Sequence, residues 1–204
     1  MSTGSGPTPA PGITADEVRR VWDGRIEPVS GEFLPTVLSP ATREFLTTVG
    51  LPTVPTLSGT FIRDGRLSTT VSLAGQEYLV CTEDEPGDAF AIELISGQVF
   101  RVQPPNPAFT CFYNSDIARF LYFYGILHRE VLSFIQDGVL LSEAQFESIL
   151  GTLTDIEAEL HARDAAAIDG ETAWYGELLS LREDVGATLH EMELGIARRP
   201  EGPA

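Results

Sequence analysis

The spacing of apolar residues changes twice along the chain, from helical to alternating near residue 53 and back to helical near residue 114. In the first stretch Thr14-x-x-Glu17 is a capping box, and Val18, Val21 and Trp22 share one helical face that ends at Asp23-Gly24. Ser39-Pro40 opens a second short helix with Phe45, Leu46 and Val49 on its apolar side. Gly50 suits the left-handed closing position there, and Pro52 prevents continuation. Residues 53–113 are β-rich: a poorly patterned run from Leu57 to Arg63, then Thr69 to Leu73, then Gln76 to Thr82. Phe90, Ile92 and Leu94 alternate with Ala91, Glu93 and Ile95, and Gln98 to Val102 returns after Ser96-Gly97. A two-residue turn sets Leu94 opposite Val99 and Ile92 opposite Arg101; a longer one shifts the register. Pro104, Pro105 and Pro107 break the sheet before Phe109 to Tyr113 resumes it.

Helical spacing then takes over. Asn114 or Ser115 is the expected cap of a helix with Asp116 in its positive first turn. Ile117, Phe120, Leu121, Tyr124, Val131 and Ile135 line one face, and Tyr122, Phe123 and Ile126 occupy the other. A helix apolar nearly all round is buried between layers or completes an interface. Ser142-x-x-Gln145 is a second capping box, followed by Phe146, Ile149, Leu150, Leu153, Ile156 and Leu160 facing inward. Residues 165–170 read as a hinge. A last helix starts at Thr172, carries Trp174, Leu178, Leu181, Val185 and Met192 on one stripe, and ends near Gly195. The expected organisation is a disordered tail over 1–12, an α+β core over 13–137, C-terminal helices over 138–196 packed on that core, and a tail over 197–204.

Charge narrows the function classes. The net charge is −17, every one of the 13 basic residues is arginine, and residues 141–204 carry −10 of the total. Nucleic-acid binding needs cations to displace counterions, so this balance argues against DNA or RNA and for a basic protein partner. Cys81 and Cys111 lie in apolar runs and read as buried thiols of a reducing compartment. The first dozen residues lack a secretory pattern, and Phe120 to Leu127 falls far short of the ~20 apolar residues of a membrane span. The expectation is a cytoplasmic protein that does not engage membranes.

No reactive constellation accompanies this framework. His128, His161 and His190 are about thirty residues apart, without zinc spacing. Nucleophile elbows, phosphate loops and dinucleotide glycine motifs are missing, and two isolated cysteines cannot form the zinc site of a deaminase. No catalytic residue, metal or cofactor is therefore expected. Glu83, Asp84, Glu85 and Asp88 form an acidic run that is either a solvated loop or a docking patch for a basic partner. Trp174 and Tyr175 are either core residues or partner-facing anchors.

Five segments carry a family resemblance: ITADEVRRVW (13–22), TREFLTTVGLP (42–52), ELISGQVFRV (93–102), FYNSDIARFL (112–121) and ETAWYGELLSLRED (171–184). Together and in this order they resemble the SUKH superfamily of bacterial immunity proteins, within it the fourth subgroup, which is linked to nucleic-acid deaminase toxins. The resemblance implies an α+β fold, a twisted and mainly antiparallel sheet flanked by N- and C-terminal helices. It also implies inhibition of a toxin by binding. Gly50, Pro52, Gly97, Asn114, Ser115 and Phe120 match the motif positions and read as fold-defining. The chain departs from the pattern at Asp116, where a small residue is commoner, and in a longer 142–170 segment. A non-catalytic adaptor and an unrecognised small-molecule enzyme stand as alternative functions.

Overall fold

Residues 12–56, 59–83, 88–103, 106–133, 142–170 and 172–193 are described by the structure, a computed structural model. The tails expected at 1–12 (apart from Gly12) and at 197–204 lie outside these residues, as do Asp84, Glu85 and the predicted helix end at Gly195. Local chemistry starts the first two helices where the sequence places them. At α1 (Ala15–Val21) the Thr14 amide donates to the Glu17 carboxylate at 2.8 Å, and the Glu17 amide donates back to the Thr14 hydroxyl at 3.3 Å. These bonds from Thr14, reinforced by Arg163, hold the Glu17 carboxyl at about 2, against a modest opposing effect of burial. Between α1 and the next helix lies a short strand, β1 (Ile26–Glu27). Ser39 caps α2 (Pro40–Thr48), accepting from the Thr42 amide. Gly50 follows at φ +98°, and strand β2 (Leu51–Pro52) pairs back onto β1 with Pro52 opposite Ile26.

The β region is more divided than its pattern suggests. Among the described residues of the Leu57–Arg63 run, the strand is β3 (Thr60–Phe61); β4 spans Thr70–Leu73 and β5 spans Gln76–Val80. The end of the expected Gln76–Thr82 strand leaves the sheet as β6 (Thr82–Glu83), which pairs with β3 in a separate ribbon. β7 (Ala89–Glu93), β8 (Val99–Gln103) and β9 (Asn106–Asn114) complete an antiparallel five-stranded sheet of order β4-β5-β7-β8-β9. β9 starts three residues earlier than expected and includes Pro107; as the last strand in the order it tolerates a residue without an N–H. The β7–β8 register is that of the longer of the two expected turns. Ile92 faces Val99, because the connection is five residues long, and the shift of two keeps both side chains on the core face.

Leu79, Phe90, Ile92, Val99 and Tyr113 face the main core, while Leu73, Tyr78, Ala91 and Val102 form a smaller cluster on the opposite face. Helix α3 (Ile117–Leu127), prolonged by a π-helical turn over His128–Leu132, lies on the main face. Phe120 is fully buried, with its ring 4.7 Å from Phe90 and 5.4 Å from both Tyr113 and Tyr124. Its cap is Asp116, not Asn114 or Ser115: the Asp116 carboxylate accepts from the Arg119 amide at 2.8 Å. Both sides of this apolar helix are covered. Gly125 lies so close to α1 that an added Cβ would stand 2.2 Å from Val21, and the Trp22 indole donates to the Leu121 carbonyl at 2.9 Å.

Helix α4 (Glu143–Arg163) begins at the Ser142–Gln145 capping box and buries Phe146, Ile149, Leu153, Ile156 and Leu160 in the same core. The expected hinge at 165–170 contains a helical turn, α5 (Ala165–Ile168), whose Ala167 and Ile168 are buried. Helix α6 (Ala173–Glu193) packs Trp174, Leu178 and Val185 inward; the side chain of Met192 lies outside the described residues. The fold is thus α+β, with helices flanking a mainly antiparallel sheet.

Gly50 and Gly75 separate two costs of a positive φ. A Cβ at Gly50 would sit 1.6 Å from the Glu27 carbonyl oxygen, whereas at Gly75 (φ +83°) it would meet nothing. Gly75→Ala should cost about 1–2 kcal/mol from backbone conformation alone. Gly50→Ala should exceed about 4 kcal/mol, because the β1–β2 pair must also move. Urea unfolding of the two variants checks this, and equal losses would contradict it.

Candidate partner-binding surface

The residues singled out in the sequence separate into buried fasteners and surface groups. Asn114, at the end of β9, is fully buried. Its amide Nδ2–H donates to Asp164 Oδ2 at 2.9 Å, and the Ser115 backbone N–H donates to the same oxygen at 3.0 Å. The Ser115 hydroxyl donates to Asp164 Oδ1. The other end of the Asn114 amide accepts the Trp174 indole N–H at 2.9 Å. Trp174 is fully buried, 5.0 Å from the Tyr113 ring, so it presents no surface to a partner: a tryptophan with an internal acceptor is a core residue. Tyr175, next to it, is 52% exposed and shares the outside of α6 with Leu179.

The acidic run is only partly described. Glu83 contributes its backbone to β6 opposite Thr60; its side chain, like Asp84 and Glu85, lies outside the described residues. Asp88 is half-buried and accepts from the Arg101 guanidinium at 2.6 Å, which ties it to the sheet. Gly97 and Pro52 are buried structural positions; an added Cβ at Gly97 would meet the Thr42 hydroxyl at 2.5 Å.

A cleft of about 390 Å³ opens between the sheet and α6, lined in part by Arg101, Cys111, Gly176 and Glu177. Burial raises the Glu177 carboxyl above its ordinary pKa, partly offset by Arg101 and the Tyr113 hydroxyl. Burial likewise raises the Cys111 thiol, against a weaker pull from Arg101, and pushes the Cys81 thiol up to about 12. Neither thiol is activated as a nucleophile, which requires a depressed pKa. His128 rests against Trp22 and the Pro55 carbonyl, away from the residues lining this cleft. No cluster of three or more His, Cys, Asp or Glu with metal-binding geometry occurs among the described residues, and no helix there is long and apolar enough to cross a membrane.

The distribution of charge is uneven in kind. Arg19, Arg25, Arg63, Arg66, Arg101, Arg119, Arg129, Arg163 and Arg182 each face a carboxylate. Arg43 donates to the carbonyls of Gly31, Leu34 and Pro35. Meanwhile Glu32, Glu44, Glu77, Glu147, Asp155, Asp169 and Glu183 stand exposed. Among the described arginines all but exposed Arg20 are engaged within the molecule, while these seven carboxylates face solvent in addition to those held in ion pairs. Besides Tyr175 and Leu179, Val37 and Ile95 stand in solvent, and sequence periodicity did not distinguish them. Ile95 reads as one more residue of an alternating strand, and only its place beside Ser96-Gly97 marks it as a turn tip.

The scaffold is α+β, with an acidic exterior and a cleft whose thiol is not activated. The chain belongs to the SUKH-4 immunity protein family, whose model matches residues 13–180. No curated protein and no solved structure matches the chain. Immunity proteins bind cognate toxins, so the partner is a protein.

Two outcomes follow from the buried groups. Asp164→Ala should cost about 3 kcal/mol, since it strands the Asn114 amide and both Ser115 donors, and should alter the near-ultraviolet signal of Trp174; a loss below about 1 kcal/mol would refute the fastening role. Glu177 has a folded pKa above its unfolded value, so its ionisation opposes folding at neutral pH. Glu177→Gln should therefore raise the unfolding midpoint at pH 7 relative to wild type. That advantage should vanish below the ordinary carboxylate range, where both states of the wild type are protonated.

Proposed function

We propose that this chain is a non-catalytic inhibitor that neutralises a basic toxin in the cytoplasm by covering its working surface. The toxin class we assign is a nucleic-acid-modifying deaminase, as the resemblance to the fourth SUKH subgroup implies; an enzyme that holds nucleic acid has the cationic surface an acidic inhibitor would cover. The observation that carries the reading is the sequestration of arginine: nearly every described guanidinium is bound within the molecule, while carboxylates stand outward. Such a surface accelerates encounter with a cationic face and repels nucleic acid itself. Glu83, Asp84 and Glu85 add to the attraction. Asp88 is committed to Arg101, and Trp174 acts from within by fixing α6 and its exposed Tyr175.

Where a neighbouring reading frame encodes a growth-inhibiting protein, co-expression of this chain should restore growth, and the purified pair should associate more slowly as salt is raised. Replacing Glu83, Asp84 and Glu85 together with serine should lower the association rate about tenfold at low salt and flatten its salt dependence. Association kinetics identical to wild type would remove the loop from this account, and a failure to protect would remove the account itself.

A further inference from the structure

The β7–β8 turn is held by more bonds than its length requires. All five amides from Leu94 to Gln98 have acceptors: Leu94 donates to the Glu77 carbonyl, Ile95 and Ser96 to the two carboxylate oxygens of Glu93, Gly97 to the Glu93 carbonyl and Gln98 to the Ser96 hydroxyl. Burial alone would raise the Glu93 pKa, but the Ser96 hydroxyl and these amides outweigh it and hold the carboxylate ionised. The Leu94 carbonyl accepts from the Ser39 amide at 2.8 Å, and Gly97 packs against Ser39 and Thr42 without room for a Cβ. The turn is thus bolted to the start of α2. Beside it, the 35–38 turn is fixed by Leu38 donating to the Pro35 carbonyl and by Arg43 donating to Leu34 and Pro35.

These two pinned turns present Ile95, 80% exposed, and Val37, 66% exposed, the most solvent-exposed large apolar side chains among the described residues. A groove of about 290 Å³ opens next to them, lined by Ser96, Ser39, Ala41, Phe45 and Ile13 among others. Rigid backbone beneath an exposed apolar side chain lowers the entropy lost on binding, as in a pre-organised anchor. Exposed Glu77 adjoins the turn through its carbonyl bond to Leu94, Glu32 and Glu44 flank the 35–38 turn in sequence, and the nearby Arg43 is spent on carbonyls.

We infer that Ile95 and Val37 are the apolar anchors of the toxin interface, seated against an apolar patch that lysine or arginine surrounds on the toxin. This rests on the reading above and adds where contact is made. The occupant is the basic partner and not a second copy of this chain: a self-contact here would bring the carboxylates of two molecules of charge −17 together.

Ile95→Asp separates anchoring from attraction, because it removes the apolar contact while making the chain more acidic. With the product of a neighbouring reading frame that the wild-type chain is first shown to neutralise as probe, the variant should bind about 30-fold or more weakly, through faster dissociation, with association as fast as wild type or faster. Ile95→Ala should lose about tenfold. Thermal unfolding of both should match wild type, since the turn is held through its backbone and Glu93. Binding within about threefold of wild type by Ile95→Asp, with wild-type protection intact, overturns the anchor and leaves the immunity reading standing. Failure of the wild type to protect removes both. A wild-type dimer in sedimentation that Ile95→Asp dissolves also overturns the proposal, by assigning the surface to self-association.

Discussion

One carboxylate ties the C-terminal third of the molecule to the sheet. Asp164 stands between α4 and α5 and gathers three donors from Asn114 and Ser115, at the junction of β9 and α3. Asn114 uses its remaining oxygen on Trp174, which carries α6. Apolar helices can slide over an apolar surface at modest cost, but a buried amide and carboxylate with fixed partners cannot. The packing of α4, α5 and α6 is therefore set in register by a few polar atoms inside a core otherwise built of Leu, Ile and aromatic rings. Arg163 adds a second fastening: its guanidinium reaches Glu17 on α1 and Glu159 on α4, and lies 5.0 Å over the Tyr122 ring of α3.

What the sequence made legible was what is local. The caps at Thr14, Ser39 and Ser142 act within three residues, so pattern alone found them. The apolar faces of α1, α3 and α4 follow from spacing, and the alternation in β7 announces a central strand. Long-range partners stayed hidden. Asn114 looked like a helix cap because its true partners are 50 and 60 residues away, and Asp116 took the cap. Asp116 caps α3 and pairs with Arg119. Spacing alone left the β7–β8 register open between a two-residue and a longer turn, because a side chain, Glu93, supplies the acceptors that hold the longer one. Gly125 drew no attention, since only the proximity of Val21 and Trp22 shows why a side chain is excluded there. The surface was least legible: whether Trp174 or Ile95 meets water is decided by elements distant in the chain.

The absence of lysine bears on the same surface. A guanidinium carries five donors in a planar fork, so it can bind a carboxylate and a carbonyl at once, as Arg119 does with Asp116 and Arg163. Arginines used this way behave as internal fasteners and contribute little outward positive field. The remaining field is set by exposed Glu and Asp on α2, α4 and α6 and is negative over long range.

In the inhibitor proposed above, field and anchor would do different work. The field reaches about a Debye length, raises the rate of encounter and discriminates only by sign. Contact at an apolar anchor acts over a few ångströms and decides which of several basic proteins stays bound. The two are built from separable parts of this chain. Gly50, Gly97, Asn114 and Asp164 lie beneath the surface and define the scaffold. Ile95 sits on a turn whose amides are satisfied by Glu93, Glu77 and Ser96 whatever side chain residue 95 carries. The side chain at the turn tip can therefore change without disturbing the bonds that fold the scaffold.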